Sequence, residues 1–424
     1  MLSQWFQIVS VVTLTSVSAL SWAQGVPSHG SDQIWNLDAQ LQQSLNDAVS
    51  SYPTISAARA SLTAADADLS AAKWARFPTI SVQESALQNT NNLKTYNQKN
   101  LQTVAMIDQP VWTGGVISGN IDRMTFEQQS ALAGVGEAIL DIELQVLQSY
   151  FDVQRQQQWQ VVLKRSITEH QKLVEMMTRR VQQEVSPVSD LDLSISRMAQ
   201  LQQQFSTITA SRNVSVQRIR DLVGNSTLEL PLHNLGEDST PEFVLSDLID
   251  KTLEYSPTLL RRRADSQAAA ATITVTRAEL MPKVSVNYAY DDTLGGRVGL
   301  TIKSQFSGGL SGFAVSQSAK QKQQAIELQL EAIERQTRNL VIADYEEYQS
   351  GKNKIKVTNE ASEAAQRISA SYMRQFTSGQ RNWIELMNAV REATSAELDA
   401  IDAHIGTQIA LTKLILRSGL WRPE

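Results

Sequence analysis

The sequence predicts an α + β fold built twice over, each copy a helix, a β-hairpin and a very long helical hairpin. Three observations carry that expectation. They are an internal repeat held in register by prolines and glycines, stretches that alternate with a period of two, and heptads sustained far beyond an ordinary globular helix.

The repeat comes first. Tyr52-Pro53-Thr54-Ile55 is answered by Ser256-Pro257-Thr258-Leu259, and Phe77-Pro78-Thr79-Ile80-Ser81-Val82 by Met281-Pro282-Lys283-Val284-Ser285-Val286. Both proline pairs share one offset (257 − 53 = 282 − 78 = 204). Trp112-Thr113-Gly114-Gly115 answers Phe306-Ser307-Gly308-Gly309, and Glu137-Ala138-Ile139 answers Glu331-Ala332-Ile333, both at 194. Asp190-Leu191 with Glu385-Leu386, and Gly224 with Gly419, follow at 195. Coincidence between Ala- and Ser-rich helices would not keep prolines and paired glycines in order.

Each half opens with a helix of about 25 residues from its first proline, with small residues at helical spacing: Ala60, Ala64, Ala67, Ala71 and Ala264, Ala268, Ala271, Val275. The second proline ends it, because proline disfavours helix in its predecessor. Alternation follows. Ile80, Val82 and Ala86 oppose Ser81, Gln83 and Ser85; Val284, Val286, Tyr288 and Tyr290 oppose Ser285, Asn287 and Asp291. After a turn expected over Asp291–Gly296, Val298, Leu300, Ile302 and Phe306 oppose Thr301, Lys303 and Gln305. One apolar and one polar face is the pattern of a half-buried strand. The matching first-half strand, Leu101 to Val111, is less regular and contains Asp108 and Pro110.

The double glycines then lead into long helices. Steps of seven from Leu132 give Ile139, Val146, Val153, Gln160, Ile167, Val174 and Val181, apolar at all but one position. That pattern predicts a coiled coil from about Ile117 to Val185, roughly 100 Å long at 1.5 Å per residue. A loop at Ser186-Pro187 turns the chain into a return helix over Leu191–Leu222, and Ser378-Gly379 does so again before Trp383–Leu416. The expected organisation is a signal peptide over 1–23, a first repeat over 24–224 and a linker over 225–240. The second repeat occupies 241–419 and a short tail 420–424. The β-hairpins fall near 78–112 and 282–306, and the long helical hairpins near 117–222 and 313–416.

Composition narrows the function. The 424 residues carry a net charge of −6 and no cysteine. Thiol catalysis, disulfides, thiolate metal sites and a lipobox cysteine are therefore excluded. A slightly acidic chain without a block of like charge gives no reason to expect nucleic acid. The four histidines, His29, His170, His233 and His404, are scattered, and no metal site is expected from them. No P-loop, Gly-x-Ser-x-Gly or metal-spaced acid cluster occurs, so neither an enzyme nor a cofactor is expected. Residues Trp5–Leu20 form an apolar run too short for a confident membrane span, and Ser21-Trp22-Ala23 suits signal peptidase. Cleavage after Ala23 is the expectation, over a retained anchor.

A crossing of the membrane then has to be a β-barrel, the other arrangement that satisfies the backbone in lipid. Four strands cannot close one, whereas three chains in a ring supply twelve. Ser81, Ser285, Thr301 and Lys303 would line a wet lumen, and Val284, Val286, Leu300 and Ile302 would meet lipid. Trp112 and Phe306 are candidate interface aromatics.

The doubled order of helix, hairpin and long helical hairpin, with Pro-x-Ile-Ser-Val or Pro-x-Val-Ser-Val entering each sheet and Gly-Gly leaving it, resembles the TolC family of outer-membrane channels. The resemblance implies a homotrimer: a twelve-stranded outer-membrane β-barrel, four strands per chain, continuous with a periplasmic α-helical coiled-coil barrel. Its far end closes like an iris and meets a periplasmic adaptor (membrane fusion) protein coupled to an inner-membrane ABC transporter or proton-driven pump. The family's tip motif is matched by Phe376, Gly379, Arg381 and Glu385, with neutral Asn388 at the second acidic position, and its first-repeat pair by Ser189 and Asp190. The match implies that Arg381 reaches Asp190 or Ser189 and holds the tip closed. Phe376, where the family often has tyrosine, would lack one gate hydrogen bond. The short length after Gly419, the neutral Asn388 and the opening Asp38 to Arg76 helix resemble members serving type I protein secretion, with small-molecule or drug efflux as the alternative cargo. A non-pore periplasmic coiled-coil scaffold is the rival reading; it accounts for the heptads and leaves the alternating hairpins unexplained.

Overall fold

A computed structural model describes residues 37–86, 101–232, 241–291, 295–305 and 311–423. The expected signal peptide, Phe306, Gly308, Gly309 and the second half of the linker lie outside the described residues. The first half runs α1 (Ala39–Ser51), α2 (Pro53–Trp74), β1 (Thr79–Ala86), β2 (Leu101–Trp112), α3 (Val116–Gln182) and α4 (Val188–Val223). The second half repeats the order as α5 (Leu245–Tyr255), α6 (Pro257–Ala278), β3 (Lys283–Asp291), β4 (Gly295–Lys303), α7 (Ser311–Thr377) and α8 (Trp383–Arg417).

Local chemistry sets these boundaries. Pro53 and Pro257 begin α2 and α6. A proline suits the first helical turn, where its missing N–H would be unpaired anyway. Gly114 and Gly115 carry the chain from β2 into α3 with φ of 66° and 99°. A Cβ on Gly114 would stand 2.5 Å from the Cβ of Met281, so sterics as well as backbone angle require glycine there. The short helices α1 and α5 were not separated by the sequence pattern. Each precedes its proline helix, and α1 is capped by Asp38, which accepts from the Gln40 amide.

The four strands form one antiparallel sheet in the order β1-β2-β3-β4. The turn expected over Asp291–Gly296 is tighter than the sequence suggests, since Asp291 still pairs with Gly295 and Tyr290 with Gly296. Pro110 remains in β2 and the pairing with β3 slips between Pro110 and Trp112. A bulge is where a sheet tolerates a residue without an N–H.

On the helical side, α3 and α4 form one antiparallel pair and α7 and α8 the other. The two pairs meet along α3 and α8, giving the lateral order α4-α3-α8-α7. Nearer the sheet the order is α2-α3-α6-α7. The largest core lies at the middle of the molecule, where Leu41, Leu45, Val146, Leu147, Tyr150, Val153, Ile219 and Ile409 pack together. The linker begins inside this region: Gln154 and Gln157 donate to the carbonyls of Pro231 and Leu230 at 3.1 and 2.8 Å, so its first residues are strapped to α3 rather than lying free on the surface.

Two stripes differ from expectation. The predicted heptad line of α3 is fully buried at Val146 and Val153 but becomes a half-buried flank from Gln160 onward, where Gln160 donates to Thr209 of α4 at 2.8 Å. The fully buried line toward the tip is Leu163, Ser166, His170, Leu173 and Met177. A helix gripped from two sides needs two adjacent seams, and a single heptad count finds one. In α2 the predicted line Ala60, Ala64, Ala67 and Ala71 is exposed. The face turned inward is Ile55, Ala58, Leu62, Ala65, Leu69 and Ala72.

Candidate functional site

The sheet sorts its side chains cleanly. Residues opposite one another in an antiparallel pair share a face. The rungs Lys283–Lys303 and Ser285–Thr301 therefore put Ser285, Thr301 and Lys303 on one side, and Thr79–Asp108 with Asp108–Asn287 extend that side to β1 and Ser81. All four residues expected to line a lumen share this face. The other face carries Ile80, Val82, Ile107, Val284, Val286, Tyr288, Tyr290, Val298, Leu300 and Ile302. Its side chains are bare: Ile80, Val82, Val298 and Ile302 are 73, 71, 76 and 68% exposed. Among the described residues no helix covers it, and the edges β1 and β4 have no neighbouring strand.

The far end of the helical hairpins is the second candidate region. There Leu173, Met177, Phe376, Trp383, Leu386, Met387 and Val390 make a separate small core. Glu184 turns the first loop with φ of 59° and Gly379 the second with φ of 76°. Asp190 and Glu385 both lie in the first turn of a return helix, where the helix dipole favours an acid. Glu385 is also locked into a capping box, since Asn382 accepts from its amide at 2.8 Å and donates to its carboxylate at 2.9 Å.

Arg381 does not engage Asp190 or Ser189 within the chain. Its guanidinium donates to Glu385 at 2.7 Å and to Gln375 at 2.9 Å, and lies 4.4 Å from the centre of the Tyr372 ring. The hydrogen bond to Glu385 raises the Arg381 pKa further above its ordinary value. An i,i+4 carboxylate is simply nearer than the neighbouring hairpin. Phe376 is buried against Trp383 at 4.9 Å, with Arg180 stacked 4.9 Å from its ring centre. The aromatic that meets Arg381 is Tyr372, one turn earlier. Ser189, Gly379 and Asn388 are exposed. Asn388 lines an open groove of about 540 Å³ between α7 and α8 together with Tyr372, Ile368, Glu385 and Arg391.

The link between the two hairpins at the tip is a different one. Trp383 donates through Nε1 to Ser194 Oγ at 3.0 Å, and Ser194 donates to the Asp190 carbonyl at 2.7 Å. Both side chains are buried. Tryptophan as the first residue of a return helix, directly after a polar turn, was the available signal. Further from the tip, α3 and α8 are joined by Arg165 to Glu397, by Ser166 with Thr394 at 2.9 Å, and by Arg155 to Asp402 at 3.7 Å. Among the described residues, no helix is long and apolar enough to cross a membrane.

Known proteins share both the sequence and the fold. The family described as "Outer membrane efflux protein" matches residues 44–225. The cobalt-zinc-cadmium resistance protein CzcC of Cupriavidus metallidurans is 25% identical over 186 residues, 44% of this chain and 44% of that protein. The match thus spans less than half the length of that relative. Among solved structures, the outer-membrane channel OprN superposes with a TM-score of 0.82 at 17% identity over 90% of each chain. CusC gives 0.81 at 14% identity, over 93% of this chain and 97% of its own. The outer membrane protein VceC of Vibrio cholerae gives 0.79 at 17% identity, over 90% and 96%. The first repeat is thus similar in sequence to the outer membrane efflux protein family, and both repeats share the fold of the solved channels.

Proposed function

We propose that the chain is one third of an outer-membrane duct, passing cargo from the periplasm to the exterior. The observation that carries this is the bare, inside-out sheet. A four-stranded sheet with an apolar outer face and two unpaired edges is unstable in water and in lipid alike, and three copies joined edge to edge remove both faults. The helical flanks support the same joint. On the β1 side, α2 exposes Ala60, Ala64 and Ala67. On the β4 side, α7 exposes Phe313, Val315 and Leu328, 58, 51 and 61% accessible. A head-to-tail ring sets one flank against the other. Ser81, Ser285, Thr301 and Lys303 then face the lumen, and the helices continue the tube into the periplasm. There the tip meets an adaptor protein and, through it, an inner-membrane pump or ABC transporter.

Efflux is favoured over type I secretion as the cargo. The family's description is efflux, and the Cupriavidus relative is by name a heavy-metal resistance protein. Deleting the gene would sensitise the cell to metals or small toxic molecules if efflux is right, and would abolish export of a secreted protein if secretion is. The duct itself is tested in planar bilayers with purified protein. Discrete, steady conductance steps from a heat-modifiable oligomer are expected; a folded oligomer without conductance sinks the duct and favours the scaffold.

At the tip, Arg381 with Glu385, Asp190, Ser189, Gly379 and Asn388 rings the aperture, and Phe376 acts from behind as packing. The contact to test for holding the hairpins together is Trp383 with Ser194, rather than a bond from Arg381 to Asp190 inside one chain.

A further inference from the structure

We infer that the rung formed by Lys283 and Lys303 is an anion-binding collar at the helix-side mouth of the barrel. The inference rests on the duct reading, which makes the polar face of the sheet the lumen. Lys283 opens β3 and Lys303 closes β4, and the two stand directly opposite each other on that face, both exposed. Like charges directly opposed in a sheet destabilise it, so such a rung calls for a counter-charge. The protein supplies none: among the described residues, neither lysine makes an ion pair or a hydrogen bond. Glu279, four residues before Lys283 at the end of α6, makes no ion pair with it. Asp108 is on the same face but level with Asn287, four residues further along β3, about 13 Å at 3.3 Å per residue.

At the far end of that face a cation does have a partner. Arg297 lies 3.9 Å from Asp291, a buried carboxylate at the opposite end of the sheet. The neighbouring rung, Ser285 with Thr301, adds hydroxyl donors beside the lysines. In the first repeat the position answering Lys283 is Thr79 (283 − 79 = 204), so the charge belongs to one repeat only. Three chains would place three lysine pairs around one opening, alternating with neutral arcs. Six ammonium groups in a narrow wet pore attract small polyvalent oxyanions far more strongly than monovalent ones. The predicted ligand class is therefore a polyvalent phosphate or carboxylate, whether cargo or a blocker entering from outside.

The test is block of single-channel current by inorganic tripolyphosphate added to the barrel side. It compares the native protein with Lys283→Gln/Lys303→Gln and Lys283→Arg/Lys303→Arg. Expected are reversible block of the native channel and a half-blocking concentration raised about tenfold or more in the glutamine variant. The arginine variant should keep its block, and in a KCl gradient the glutamine variant should shift its reversal potential toward potassium. Equal block in the native and glutamine proteins overturns the collar while leaving the duct intact. So does loss of block in the arginine variant, because the charge would then not be the cause. A native oligomer with no current overturns the duct and the collar with it.

Discussion

The helices α3 and α7 hold the same place in the two repeats and are 67 residues each, yet α3 buries 17 residues and α7 six. Ile121 of α3 is 8% exposed and its counterpart Val315 is 51% (315 − 121 = 194); Val146 is 0% and its counterpart Leu340 is 43% (340 − 146 = 194). The short helices show the mirror image. Ala264 and Ala268 of α6 are 5 and 8% exposed, while Ala60 and Ala64 of α2, their partners at 204, lie bare. A duplicated sequence has therefore produced two inner helices, α3 and α6, and two outer ones, α2 and α7. In the proposed ring, the apolar positions at the outer helices are those that a second copy of the chain would cover.

The hardest blow to that comparison is a charge on the outer face of α7. Leu340→Glu with Val315→Glu should leave each chain's own packing intact, since both positions are open in it, and abolish the oligomer. Burying unpaired carboxylates at a joint costs several kcal/mol per interface. Migration of unheated samples in detergent gels reads the result. A stable oligomer in the double variant would mean that α7 is an outer surface and that the inner-outer contrast has another origin.

Next in size is the tip, where the two hairpins share their own small core. Trp383→Ala removes a buried ring and leaves Ser194 without its donor, and truncations of this kind cost about 3–5 kcal/mol. The loss should be local: hydrogen exchange at the tip accelerates while the central core keeps its protection. Phe376→Ala should behave alike. Phe376→Tyr would place a hydroxyl in the same apolar core and is expected to destabilise the tip rather than restore a gate.

The inner helix also carries a burden that its outer counterpart escapes. Glu143 of α3 is 2% exposed with Oε1 unpartnered, and burial pushes its pKa up to about 8; the matching residue of α7 is the neutral Thr337 (337 − 143 = 194). Above the unfolded value near 4.5, the unfolded chain releases a proton that the folded chain retains. Stability should then fall as pH rises from about 4.5 to 8 and level off beyond. Glu143→Gln should flatten that fall, by up to ~1.4 kcal/mol for each pH unit in the window. Melting temperatures at pH 5 and pH 8 decide it: parallel losses in both proteins would show that Glu143 is not the titrating group.

Much of the fold could be read from the sequence because its determinants are local. Pro53 and Pro257 mark helix starts, Gly114 and Gly115 the exit from the sheet, and the alternation from Lys283 to Lys303 both faces of a hairpin. The faces of Ser81, Ser285, Thr301 and Lys303 followed from the period alone. What escaped depends on neighbours. The heptad count finds the buried Val146 and Val153, but toward the tip the buried line runs one residue from it because α3 packs against both α4 and α8, which no single periodicity records. The helical spacing of Ala60, Ala64, Ala67 and Ala71 does not say which way that line of α2 faces, because alanine stripes look alike whether they meet this chain or another. Phe376 and Arg381 were placed by motif, and a motif gives spacing without saying which atoms are nearer. Glu385, in the first turn of α8, stands four residues after Arg381 in the preceding turn, and the Tyr372 ring lies against the guanidinium.

That proximity defines the smallest effect. Arg381 is exposed, and its pair with Glu385 is an i,i+4 bridge screened by solvent, of a kind that contributes little to stability. Arg381→Ala should therefore leave thermal stability almost unchanged, against the large loss from Trp383→Ala a few residues away. Its effect belongs to the aperture. Removing the cation frees Glu385, adds one net negative charge per chain at the tip, and should raise both conductance and block by a trivalent cation such as hexamminecobalt. Asp190→Ala in the same assay separates the two geometries. If Arg381 acts only through Glu385, the effects of Arg381→Ala and Asp190→Ala on conductance add. If Arg381 of one chain instead reaches Asp190 of the next around the ring, the double variant does no more than either single one.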